Sequence, residues 1–444
     1  MTISADDHRA DDETRARAKP DCNDLTAEDA EDALLEGDRT FTPGTARAAF
    51  AYPTFRRIFI GAFLSNVGSW MQNVVLGAFA YKITGSPVFV SLIIFAQLIP
   101  LLLLSIVGGT LADIFDRRKL LIIVSIEQTF FAVLIAWIAH FPDPSRVGLF
   151  LCTLAIGMGQ AIYAPTFGSL VPQLVDKKDL AGAVSLNSVN MNLSRVIGPV
   201  IGSVVYAELG ISWVFIGNAA SYLFVIGALL SVELPRVKID PTAPTGLQRL
   251  LGGFVAARDD RVVGRCLTTM VLFSLFCLMF ITQMPALAHD NLGIDPKSTE
   301  YGLLYACFGL GAVIGALSIG TFLSGRSLER IIRVGLAGFA VSLAAFALVR
   351  APIVAYPAGL VVGFFYFVIV TALATVLQVR LDERVRGRVM ALWVMAFGGT
   401  VSVAAFASGP LVEASSVTAV MLGGAVVAVA LIPFADVRDR SLAV

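Results

Sequence analysis

Charge is scarce in this chain. Of its 444 residues only 15% are Asp, Glu, Lys or Arg, while 57% are hydrophobic. A soluble protein of this size needs far more polar surface, so the surplus apolar surface must face lipid. Histidine is scarcer still: His8, His140 and His289 make the full set of 3, and all lie in the tail or in loops between apolar runs. No buried His-Asp-Ser set, metal quartet or phosphate-cradling glycine loop occurs, which argues against a membrane enzyme and against any cofactor. The 5 cysteines, Cys22, Cys152, Cys266, Cys277 and Cys307, have neither metal nor redox spacing. They exclude a disulfide framework, and those beside apolar runs read as small buried apolar residues. Net charge is 0, and no basic tail or basic-aromatic stripe points to nucleic acid.

What is abundant is apolar length. A bilayer span takes about 20 mostly apolar residues. Twelve such runs can be marked, near 57–81, 87–111, 120–140, 147–172, 183–207, 211–233, 265–288, 300–324, 331–350, 353–378, 389–412 and 416–435. In lipid each run must satisfy its own backbone, so each is expected to be a helix. The fold class expected is an all-α membrane protein of twelve transmembrane helices in two six-helix bundles.

Residues 1–50 differ sharply from the rest. They are acidic, polar and nearly free of aromatics. Such a segment cannot bury enough apolar area to order itself, and it is read as a disordered cytoplasmic tail with no signal-peptide core.

Counting Lys and Arg in alternate loops, with the tail left out, puts 22 on one side. The other side holds 4: Lys82, Arg146, Lys297 and Arg350. The basic side is expected to be cytoplasmic, and an even number of spans places both termini there. The longest internal loop, 234–264, carries Leu247, Leu250, Leu251 and Phe254 on one helical stripe. It is expected to lie on the inner membrane surface. It separates bundles at 51–233 and 265–436, with 437–444 as a cytoplasmic end.

The halves repeat. Gly109 and Gly320 stand 211 residues apart, and Gly198-Pro199 and Gly409-Pro410 share the same spacing. Duplicated bundles with a site between them suit alternating-access carriers. Between the second and third runs lies "GGTLADIFDRRKLL", with Asp113, Asp116, Arg117, Arg118 and Lys119 as its charges. A glycine here lets helices approach closely. Asp113 can face a helix N-terminus or an Arg, and Arg117 and Arg118 can reach carboxylates or anionic lipid. Topology charges alone would serve as a blander account.

This turn resembles the signature between the second and third spans of the major facilitator superfamily. Ile114 departs from it where a basic residue is usual, and Asp116 where a Gly is usual. "LSNVGSWMQNVVLGAFAYKITGSP", "APTFGSLVPQLVDKKDLAGAVSLNSVNMNLSRVIGP" and "ERVRGRVMALW" resemble its branch of drug and siderophore exporters related to the enterobactin exporter. The likeness covers residue 52 onward. It implies that Gly109, Asp113, Arg117 and Arg118 form a conformational latch holding the outward-open state. Gly198, Pro199 and Gly202 look like the superfamily's antiporter motif, although Ser203 replaces a final Gly. There the proline bends the fifth helix and the glycines allow tight contact, a gating role or simply a common kink.

Two ionisable residues lie well inside spans. Arg195 is about 13 residues into the fifth, roughly 20 Å deep, and Glu127 about 8 residues into the third. Burying an unpaired charge costs at least about 2.5–3.5 kcal/mol, so each needs a partner, a wet cavity or a proton. Glu127 is the candidate carrier of the coupling proton. Arg195 is the candidate that biases it, binds an anionic group, or simply fixes an interface through backbone carbonyls.

For the substrate path, Asn66, Trp70 and Asn73 share a face of the first helix, and Asn187 and Asn190 one of the fifth. Gln97, Gln283 and Trp393 add polar or amphipathic groups in the second, seventh and eleventh. An apolar, aromatic cavity with a few amides is expected, suited to an uncharged, amphipathic or planar ligand better than to a sugar, with interhelical hydrogen bonding as the plain alternative. The functional expectation is a proton-coupled antiporter exporting drugs or siderophores across the cell membrane, monomeric by default, with the proton gradient as its energy source. A proton-coupled importer, a uniporter and a transport-inactive sensor are the other readings.

Overall fold

The computed structural model describes residues 45–232, 258, 260–323, 326–381, 389–390 and 392–435; for Ser105, Ile106, Gly109, Thr110, Asp113 and Ala181 only the backbone is described. The amphipathic stripe predicted at 247–254 lies outside these residues.

No strand occurs among the described residues, and each of the twelve predicted runs coincides with a helical segment. We label them α1 (Pro53–Thr84), α2 (Pro87–Ile114), α3 (Arg117–Ile138), α4 (Arg146–Leu170), α5 (Leu180–Glu208) and α6 (Ile211–Leu230). Then come α7, an interrupted segment over 261–291 that opens with Arg261–Leu272, and α8 (Thr299–Gly320), α9 (Leu328–Leu348) and α10 (Pro352–Arg380). Last are α11 (Leu392–Ala414) and α12 (Val417–Leu431). Eight of these are long and apolar enough to cross a membrane by length and composition. The two long, unbroken helices that fall short, α1 and α5, carry the four asparagines expected to face a cavity, Asn66, Asn73, Asn187 and Asn190.

Local chemistry sets the helix ends. Pro53, Pro87 and Pro352 open α1, α2 and α10, where a missing N–H costs nothing. Asp116, Ser145, Ser298 and Ser416 accept backbone N–H bonds as N-caps of α3, α4, α8 and α12. Gly85 closes α1 in the left-handed region at φ 62, which glycine adopts without strain.

One predicted boundary is corrected. Residues 46–50, assigned from composition to the disordered tail, belong to a short helix, Ala46–Ala51. Thr45 caps it, Ala48 and Ala49 are buried, and Phe50 packs edge-on to Phe59 at 5.7 Å. Two small apolar residues and one ring suffice to hold a single turn and a half against α5.

Packing follows the duplication. Within α1–α6, α2 packs on α4, α1 on α5 and α6, and α3 on α4 and α6; within α8–α12, α8 packs on α10, and α9 on α10 and α12. Each of these second-half pairs is a first-half pair moved six helices on. Between the halves, α2 packs on α11 and α5 on α8. The same shift by six exchanges these two seams. Small residues permit the closest approaches: an added Cβ at Gly157 would meet the Gln97 carbonyl of α2 at 2.5 Å, and one at Gly363 would collide with the Phe308 carbonyl of α8.

Candidate functional site

Among the described residues, the seam between the halves is tied on one face only. On the face with few basic residues, Gln283 of α7 donates to Ser91 Oγ (2.7 Å) and Ser408 Oγ (3.0 Å), and the two serines lie 3.1 Å apart. Tyr81 of α1 donates to Asp290 (2.8 Å), which also meets His289 Nδ1 at 2.8 Å. Gly409 lets α11 ride over Val88 of α2, and Gly302 lets α8 ride over Pro199 of α5. Every hydrogen bond between the halves among the described residues lies at this face.

Deeper along the same helices is a cavity of about 270 Å³. Trp70 and Asn73 of α1, Gln97 of α2 and Arg195 of α5 line it from the first half; Ile281 and Thr282 of α7, Tyr305 and Phe308 of α8, Tyr366 of α10 and Phe397 of α11 from the second. Three lining pairs, Trp70 and Ile281, Ile94 and Tyr305, Gln97 and Phe308, are 211 residues apart. The cavity therefore sits where the two repeats face one another.

Arg195 is the one cation on this wall, and no acid lines it among the described residues. Its guanidinium carbon lies 4.9 Å from the Trp70 ring centre and 4.7 Å from that of Phe367 on α10. Its Nε is buried with no hydrogen-bond partner. The sequence left carbonyls or an acid as its partners; the structure instead gives it two rings, a cation–π arrangement. Glu127 does not pair with it. That carboxylate lies between α3 and α4, against Gly159, and its Oε2 is buried without a hydrogen-bond partner.

The other predicted residues divide. Trp70, Asn73 and Gln97 line the cavity, and Gln97 donates to Asn73. Asn66 donates to Asn190 Oδ1 at 3.0 Å, which holds α1 to α5, while Asn190 Nδ2 is buried without a hydrogen-bond partner. Asn187 is half-buried outside the cavity wall. Gln283 is in the seam, off the cavity, because Ser91 and Ser408 satisfy its amide there. Trp393 is buried in the second-half core, off the wall, its ring being apolar enough to pack there. Gly198 and Gly202 face Trp70 and Met71 of α1, and the Pro199 carbonyl faces Gly302 of α8.

In the charged turn, Gly109 and Asp113 lie near the end of α2, their side chains outside those described. Arg117 donates to the Ser169 carbonyl at 3.0 Å, and Arg118 to the Leu230 carbonyl at 2.9 Å. These are the C-terminal ends of α4 and α6, where carbonyls concentrate negative charge. Both arginines thus pin helix ends within the first half. Asp116, unusual for a Gly position, earns its place as the α3 N-cap, accepting from Lys119 N at 3.1 Å.

Sequence reasoning missed two features. The first is a set of rings centred on Tyr366, with Phe308, Phe273, Phe367 and Phe397 at 4.7–6.4 Å. The "GFFYFV" cluster was its only visible signal. The second is a buried amide-hydroxyl network between α1 and α6: Asn218 donates to Gln72 at 2.7 Å, and Ser69 meets Tyr222 at 3.3 Å. Helical π-turns at Phe273–Cys277 and Met395–Gly399 flank the cavity in α7 and α11, a placement common at functional sites.

The family model described as transmembrane secretion effector matches residues 44–440. The chain belongs to this family, within the major facilitator superfamily. As a member of this transporter family, it is a multi-pass membrane protein and not an enzyme. It is 26% identical to the enterobactin exporter EntS of Shigella boydii serotype 4 (strain Sb227) over 343 residues, 77% of this chain and 81% of that one. Solved structures share the fold. A mutant of the nucleoside transporter NupG superposes with a TM-score of 0.71 at 15% identity, covering 87% of this chain and 100% of that one. A bacterial homologue of the iron transporter ferroportin, in an inward-facing state, gives 0.67 at 16% identity, covering 86% and 98%.

Proposed function

We propose that this family member exports small amphipathic molecules, drugs or siderophores, by alternating access driven by inward proton flow. The observation that carries the reading is a cavity shared by both repeats and sealed from one face by the Gln283–Ser91–Ser408 seam. The likeness to a protein named as an enterobactin exporter supports the direction and the class of cargo. The basic face is cytoplasmic in this reading, with both termini there, in the cell membrane. Residues 51–233 and 265–436 rock as units about the cavity, and no second copy is required.

Glu127 takes the coupling proton. Its buried, unpartnered oxygen is stable in lipid as a neutral acid. Gly198, Pro199 and Gly202 let α5 slide against α1 and α8 during the exchange. The charged turn, Gly109 to Arg118, latches the basic face when the seam opens. Reconstitution in liposomes with an imposed pH gradient tests this. Dyes, antibiotics and siderophores are screened for directional movement, and accumulation against a concentration gradient that collapses with the pH gradient is expected. Movement indifferent to the pH gradient contradicts the coupling.

A further inference from the structure

We propose that the cargo is a planar organic anion, and that its negative group displaces Phe367 from the Arg195 guanidinium. This rests on the reading of the central cavity as the substrate site.

Arg195 stays ionised wherever it sits, because a guanidinium holds its proton in proteins. Removing such a charge from water is costly unless it is paired. Among the described residues it has no hydrogen bond and no ion pair, its Nε is orphaned, and no carboxylate lines the cavity. Its two neighbours are the rings of Trp70 and Phe367, at 4.9 and 4.7 Å. Ring faces attract a cation, yet more weakly than a desolvated anion does, and they accept none of its five N–H donors in the way a carboxylate accepts two at once. The site therefore holds its cation on a substitute for an anion. The remaining wall is aromatic and amide, through Tyr305, Phe308, Tyr366 and Phe397 with Asn73 and Gln97, which suits a flat body attached to that anionic head.

The two rings are not equivalent. Trp70 belongs to the same half as Arg195, while Phe367 belongs to α10 of the other half. A ligand that takes the guanidinium from Phe367 removes a contact between the halves at their centre. Binding would then loosen the halves from one another, so occupancy favours movement. This gives the ligand a differential interaction with two states, the condition for shifting an equilibrium.

The test uses the purified full chain in detergent micelles and matched probes, 2-naphthoate and 2-naphthamide, which differ in charge at nearly constant shape. Thermal stabilisation and quenching of tryptophan fluorescence report binding. Naphthoate is expected to bind at least about thirtyfold more tightly than the amide. Arg195→Gln should weaken naphthoate binding far more than amide binding and so remove that preference, and Arg195→Lys should restore part of it. Phe367→Leu, which frees the guanidinium, should tighten naphthoate binding by up to about tenfold. Equal binding of the two probes overturns the anion assignment and leaves the cavity reading standing. Binding of neither probe overturns both. Naphthoate preference that persists in Arg195→Gln, or is unchanged in Phe367→Leu, also overturns the proposal.

Discussion

At the three cavity positions that recur 211 residues apart, the first half places Trp70, Ile94 and Gln97 and the second Ile281, Tyr305 and Phe308. The frame is shared and the chemistry is divided. Inside the membrane the first half holds Glu127, Arg195 and the Ser69–Tyr222–Asn218–Gln72 network. At the same spacing from Glu127 and Arg195 stand Gly338 and Phe406. The second half instead gathers rings about Tyr366. Gln72 and Gln283 show the divergence most plainly, being 211 apart. Gln72 binds Asn218 within its own half, while Gln283 reaches across to Ser91. Duplication preserved the helix packing, which depends on glycine and shape. It did not preserve interior polarity, so charge handling collected on one side and aromatic surface on the other.

Substitutions can break this division, and the largest effect is expected at Glu127. Glu127→Gln should abolish uphill movement driven by a pH gradient while leaving downhill exchange in place; both are measured in the same proteoliposomes. If uphill movement survives, the first half is not the proton-handling half. Tyr366→Ala should cost about 3–5 kcal/mol of stability, since it removes the ring at the centre of the aromatic cluster. The shift in the unfolding midpoint in mixed micelles checks it. Asp116→Ala should cost about 1 kcal/mol through loss of the α3 N-cap, read from the same transition. Gln283→Leu is the mildest. Interhelical hydrogen bonds in membranes average about 0.6 kcal/mol, so losing one should raise the seam-open population about threefold, and losing more than one proportionately more. Labelling of a cysteine placed at Val88, beneath Gly409, by an impermeant maleimide reports it.

Much of the frame was legible in the sequence because lipid imposes a strict rule on backbone polar groups. The run at 331–350 appears as Leu328–Leu348, and the run at 147–172 as Arg146–Leu170. The break-up of α7 was not legible. "CLTTMVLFSLFCLMFITQM" reads as one apolar run, and its π-turn at Phe273–Cys277 depends on packing around α12 and α11 rather than on any local residue. The polar residues were found, but their directions were not. Spacing placed Asn66 and Trp70 on one helical face, yet Asn190 captures the first while the second reaches the cavity. Phenylalanines were the least informative, because lipid and cavity favour the same side chain, and nothing in "GFFYFV" says which ring turns inward.

The account depends most on relative motion of the two halves about the cavity. Spin labels at Ser86 and Thr299, across the sealed face, and at Arg56 and Arg326, on the basic face, would measure it by pulsed dipolar spectroscopy. Two populations are expected, with the first distance lengthening as the second shortens when substrate and acidic pH are applied. A single distribution at both pairs, unchanged by either, would contradict the account.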